Sequence, residues 1–219
     1  AEEHWNTPEF QNWFKGSHAV TPDGKPLVLY HGTRRAGFSS FDPDMAGESS
    51  GNGAGLGALY FTDDYGNAQT YSNTRDEAKF PEENPDYDPR WDDDGTGPGN
   101  YSVYLSMKNP MKVDFGGRNW DGTHPDDPYD DDADYYHMSN MVQLARDAGH
   151  DGLIGMNVSD EGGYGQGYGR GNNYIVFHPN QVKSAVKNVG SYSTEDDDIR
   201  KEELDKATIR VNAVSGAHQ

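Results

Sequence analysis

The sequence predicts an α+β fold: two small, mainly antiparallel sheets facing across a cleft, with a few peripheral helices. Three observations predict it. Short apolar runs of strand length recur along the chain. Helical periodicity is confined to a few short stretches. Hydrophobic residues make up 32% of the 219-residue chain while Gly numbers 27, so the core must be small and the loops long, irregular and Gly-rich.

Taken in order, Thr7 is an N-cap with Pro8 at the first helical position, and Phe10, Trp13 and Phe14 fall at helical spacing, so a short helix over 7–15 docks an aromatic face on the body. Asp23-Gly24 is a turn, and Pro26 leads into a strand Leu27–Tyr30 that ends at His31. Residues 44–58 are rich in Gly and Ser and read as a loop. Ala58–Thr62 is a second strand, and Asp63 or Asp64 caps a helix running to about Tyr71. Residues 81–100 form an acidic, Pro/Gly-rich insertion. Tyr101–Val113 alternates as a strand pair or one long strand, broken at Asn109-Pro110. A second acidic insertion lies near 121–134. Met138, Met141, Val142 and Ala145 make an amphipathic helical stripe ended by Gly149. Leu153-Ile154 and Tyr174–Phe177 are buried strands separated by a Gly/Tyr-rich loop, 162–171. Pro179 turns the chain into Gln181–Ser184. The domain is expected to span 1–191, with a loose polar tail over 192–219 in which Glu202–Arg210 has helical character.

Charge and composition narrow the function. With 37 acidic against 18 basic residues the formal net charge is −19, which repels nucleic-acid phosphates and disfavours a nucleic-acid partner. There is no Cys, so disulfides, thiol catalysis and cysteine-ligated zinc are excluded. No apolar run has the length of a membrane span and no signal peptide is visible, so the expected location is the cytoplasm or, by delivery, a host cell. The acid runs Asp92–Asp94 and Asp130–Asp132 lack EF-hand spacing and read as solvated faces; His124, His137 and His150 lack metal-ligand spacing. No metal is expected. The 162–171 loop lacks the strand–loop–helix setting of a dinucleotide fingerprint.

The chemistry-bearing motifs are Tyr30-His31-Gly32-Thr33-Arg34 and Gly57-Ala58-Leu59-Tyr60-Phe61-Thr62, with Tyr71 eleven residues beyond Tyr60. A polar His-Gly at the end of an apolar run, followed by two tyrosines at a fixed offset, builds a cleft with an aromatic wall, suited to a flat, electron-poor ring such as nicotinamide. These residues resemble the His-Tyr-Glu class of ADP-ribosyltransferases, relatives of diphtheria toxin and the poly(ADP-ribose) polymerases. The wider frame includes Glu9–Phe14, Asp23–Thr33, Asp151–Ile154 and Asn173–Ser184. It is similar to the transferase-like domains of bacteriophage polyvalent proteins and bacterial prophage products. The resemblance covers about residues 9–190.

The resemblance implies NAD as co-substrate and an acceptor macromolecule, a protein side chain, as partner. It implies that His31 bonds the ribose, Gly32 backbone holds the carboxamide, and Thr33 and Arg34 lie near the phosphates or adenosine. Tyr60 and Tyr71 would sandwich nicotinamide, with Gly57 one place earlier than usual for the second motif. Ala68 occupies the place of a serine that bonds the carboxamide, so one contact is missing. Asn173 stands where the class carries its catalytic Glu. Three alternatives follow: Asn173 replaces the acid in a weak or substrate-assisted transferase; a loop acid, Asp160 or Glu161, supplies it; or the chain binds the dinucleotide without transferring it. Water as acceptor would give an NAD glycohydrolase.

Overall fold

The computed structural model describes residues 4–33, 38–45, 57–72, 99–127, 129–159, 170–186, 192–193 and 195–199. The mixed α+β content is as expected, but the strands form one continuous seven-stranded sheet, not two. The strands are β1 (Leu29–Thr33), β2 (Leu59–Thr62), β3 (Gly99–Leu105), β4 (Pro110–Asp114), β5 (Gly152–Ser159), β6 (Arg170–Val176) and β7 (Val182–Ser184), in the spatial order β4-β5-β6-β2-β1-β3-β7. All neighbours are antiparallel except β4 and β5. The expectation of two sheets fails at one join. β1 and β2 pair at a single position, Tyr30 opposite Thr62, whereas β1 pairs with β3 along its whole length from Leu29 to Thr33. That one pair keeps the two halves in one sheet, with a seam between them.

Helix α1 (Pro8–Phe14) starts as its residues dictate: the Thr7 Oγ1 accepts the Phe10 N–H at 3.2 Å and Pro8 fills the first turn. Its aromatic face is buried against Tyr104 and Tyr192. Helix α2 (Tyr65–Ser72) is capped by Asp64, whose Oδ1 accepts the Asn67 N–H at 2.9 Å. The acidic stretch over 121–134 carries turns and the short helix α3 (Ala133–Tyr136), anchored by Arg118, which bonds Asp130 at 2.7 Å and lies over the Tyr136 ring. Helix α4 (Met138–Asp147) buries the stripe Met138, Met141, Val142 and Ala145, and Gly149 follows at φ 78°. No helix among the described residues is long and apolar enough to cross a membrane.

The two faces of the sheet differ. On one, a continuous core runs across the seam, joining Leu29, Val103 and Leu105 to Leu59, Phe61, Tyr174 and Val176, with Phe41 and Ile199 over it. On the other, α4 covers a cluster with Ala58, Leu153 and Ile175, and α1 a separate one with Tyr104. Helix α2 lies between them over β1. The buried Gln181 ties strand ends together, donating to the carbonyls of Ser106 and Asp151 and accepting from the N–H groups of Phe177 and His178.

The loose tail expected from Tyr192 is packed over its described residues. Tyr192 and Ile199 are buried, Ser184 donates to the Ile199 carbonyl, and Ile199 donates to Ser39. The buried Lys183 ammonium donates to the carbonyls of Asp196 and Asp198. Two apolar anchors and one cation fix a segment whose composition is otherwise polar. The expected helix at 202–210 and the acidic insertion over 81–98 lie outside the described residues.

Candidate functional site

The described motif residues lie on β1, β2 and β6 and in helix α2. β1 does not end at His31 but runs through it to Thr33, because β3 pairs with it that far. On β2, the Tyr60 carbonyl is taken by the His31 ring: Nδ1 lies 2.8 Å from that oxygen. A carbonyl only accepts, so Nδ1 carries the proton and neutral His31 presents Nε2 as an acceptor. The ring stands edge-on to Phe41 at 5.1 Å and beside Phe61 at 5.6 Å. Burial lowers its pKa, opposed by the bond to Tyr60, so the neutral form is favoured.

Gly32 comes next, on the opposite face, where α2 sits directly on the strand. A Cβ at Gly32 would lie 1.7 Å from the Ala68 carbonyl oxygen, so only glycine admits the helix at this height. Ser72 bonds the Asn100 side chain at 2.9 Å and pins the end of α2 to β3. Tyr30, also on this face, meets the Tyr65 ring at 5.1 Å. Ala68 is buried, and Tyr71 lies three residues on, about one helical turn away.

Tyr60 points to the α4 side of the sheet, packed against the cluster under that helix. Burial pushes its hydroxyl up to about 12, against the opposing pull of the Arg146 charge, so it stays neutral and offers a ring and a weak donor, not a base. Gly57 stands at the entry to β2 at φ 61°, and its carbonyl accepts from Arg146, whose guanidinium also lies 4.4 Å over the Phe177 ring. Gly57 shapes the approach to the strand, away from the seam. Thr33 is buried on the His31 side of β1.

Asn173 lies on β6 opposite Thr62, in the same row as Tyr30, and so on the α2 side. Its neighbour Asn172 is bracketed by Asp63: the backbone N–H and the side-chain amide donate to the two carboxylate oxygens at 2.9 and 2.8 Å. Asn172 in turn accepts from Asn157, which sits in a bulge of β5 at φ 54°. This lattice fixes the backbone carrying Asn173. It also engages both oxygens of Asp63, a carboxylate the fold brings to this strand.

His31 thus lies on the Phe41 face of β1, while Tyr60, Asn173 and α2, with Ala68 and Tyr71, lie on the opposite face of the sheet, and position 173 carries a neutral amide. Arg34, Asp160 and Glu161 lie outside the described residues, as does most of the 44–57 loop. Sequence reasoning missed the Asp63–Asn172 bracket, Phe41 behind His31, and the buried Asn67 in the first turn of α2. Only Asp63 carried a signal, its place at the end of β2. Among the described residues no group of three or more His, Asp or Glu is placed to hold a metal ion. The sequence model of a family described as "ADP-Ribosyltransferase in polyvalent proteins" matches residues 22–192. No curated protein and no solved structure matches the chain.

Proposed function

We propose, since the chain belongs to the family of ADP-ribosyltransferases in polyvalent proteins, that it binds NAD at the β1–β2 seam, releases nicotinamide and transfers ADP-ribose to a protein side chain. The observation that carries this reading is the bond from His31 to the Tyr60 carbonyl. It fixes a neutral imidazole, with Nε2 as its acceptor nitrogen, between the two motif strands, next to a glycine that no side chain could replace.

In this reading His31 Nε2 accepts from a ribose hydroxyl. Gly32 backbone holds the carboxamide. Tyr60 and Tyr71 flank the nicotinamide ring, and Asn173 faces the anomeric carbon. Thr33 and Arg34 lie toward the phosphates. The bond from the anomeric carbon to the nicotinamide nitrogen breaks with its electron pair leaving on nicotinamide. The acceptor's nucleophile then bonds that carbon and loses its proton. Asn173 can bond a hydroxyl but cannot offset the positive charge that develops on the ribose, which costs on the order of 10²–10³ in rate relative to an acid. The acidic surface supports a protein acceptor over a nucleic acid.

Asn173 also favours a second reading, a domain that binds NAD without turnover. Free nicotinamide, followed with and without cell lysate beside a His31→Ala control, separates these. Release that needs both lysate and His31 supports the transferase. Release without lysate points to a glycohydrolase. NAD binding with no release supports the second reading, and no NAD binding overturns both.

A further inference from the structure

Asn67, in the first turn of α2, is 99% buried, and neither its amide nitrogen nor its carbonyl oxygen has a hydrogen-bond partner. Such a group is rare in a folded chain, because leaving it unsatisfied is costly. Its surroundings show where it looks. A Cβ at Gly171 would lie 3.8 Å from the Asn67 Nδ2, so the amide sits beside β6 at a position that keeps no side chain. Gly171 and Asn173 are two apart on one strand and face the same side. The next residue of the helix, Ala68, abuts Gly32 on β1. Helix α2 therefore straddles the seam, with Asn67 over β6 and Ala68 over β1.

We propose that Asn67 is a substrate-contacting residue: its carboxamide and that of Asn173 form a pair of neutral amides that hold the hydroxyls of the ribose at the bond to be broken. This rests on the reading of the seam as an NAD site. An amide presents one acceptor and two donor hydrogens side by side, and a vicinal diol presents the complementary set. The pair would compensate in binding for what position 173 lacks in charge.

The test uses Asn67→Ala, and Asn67→Leu to remove polarity while keeping bulk, in the full chain. Affinities for NAD, ADP-ribose and nicotinamide are measured by calorimetry, and unfolding of the unliganded protein by circular dichroism. Wild-type binding of NAD, lost in His31→Ala, tests the site itself; if wild type binds none, the site reading and this proposal fall together. Given binding, both Asn67 variants should lose roughly tenfold or more in affinity for NAD and for ADP-ribose, leave nicotinamide unchanged, and keep a wild-type unfolding transition in at least one variant. Wild-type affinity for NAD in either folded variant, or a loss confined to nicotinamide, would overturn the assignment.

Discussion

Replacing Gly32 by Ala probes the seat of α2 with one methyl group. The added carbon would lie 1.7 Å from the Ala68 carbonyl oxygen and 2.7 Å from its carbon, where ordinary contact begins at 3.4 Å. The helix must therefore lift by about 1.7 Å, the difference between 3.4 and 1.7. Extra methylenes in a packed core cost typically 1–3 kcal/mol when side chains can give way. Here the obstacle is helix backbone, so the cost is set at about 3 kcal/mol. For a domain of this size each kcal/mol moves the midpoint by roughly 2–4 °C, which predicts a fall of about 6–12 °C in thermal unfolding. NAD affinity, read by calorimetry on the folded variant below its midpoint, should fall at least tenfold, because Asn67 and Tyr71 lift with the helix. Without the helix the substitution would stabilise, since Ala restricts the unfolded chain more than Gly. A Gly32→Ala protein with an unchanged or raised midpoint would refute the seating of α2 on β1.

Further outcomes follow from the same geometry. Burial holds the His31 imidazole below its ordinary 6.5, so the unfolded chain binds that proton more readily. The stability contributed by neutral His31 is present above pH 6.5 and is lost as pH falls through 6.5 toward the folded value; His31→Gln should flatten that part of a denaturation profile, and an unaltered slope would argue against it. Asn173→Glu restores a carboxylate at the proposed anomeric position and should raise nicotinamide release by about 10²–10³, checked by single-turnover assay. Tyr192 is buried with its hydroxyl unpartnered, so Tyr192→Phe should raise stability by about 1 kcal/mol in urea unfolding, while Tyr192→Ala should cost about 3–5 kcal/mol.

Features set by neighbours in sequence were readable from it. Thr7 and Pro8 start α1, Asp64 caps α2, and the Met138–Ala145 stripe faces the core. The two motif strands also meet, His31 bonding the Tyr60 carbonyl, while Asn173 lies one strand further, on β6 opposite Thr62. What depends on distant pairing was not readable. One register pair, Tyr30 with Thr62, decides between one sheet and two, and nothing local encodes it. β5 and β6 run on through Asn157, Asn172 and Asn173, whose polarity hides the strand pattern; their partners, Asp114 and Asp63, are remote in sequence. Tyr192 and Ile199 stand seven apart in an acidic run, too sparse to mark a packed segment. Asn67 carries no mark in the sequence, and its burial comes with the placing of Gly171 beside it.

The asymmetry of the two sheet faces has a mechanical meaning. On the His31 face, one apolar core binds both halves across the seam, as a spine binds two pages. On the other face, the clusters under α4 and α1 are separate, and among the described residues only α2 lies between them. Any parting of the halves would be toward α2, against the hold of that helix over β1 and β6, and would leave the spine intact. Amide hydrogens beside the seam, at the centre of the sheet, should exchange earlier than those of β5 and β6, reversing the usual order in which edges fray before the middle. A ligand bridging β1 and β6 would close that book, so slowed exchange at the seam reports occupancy directly, whether or not chemistry follows.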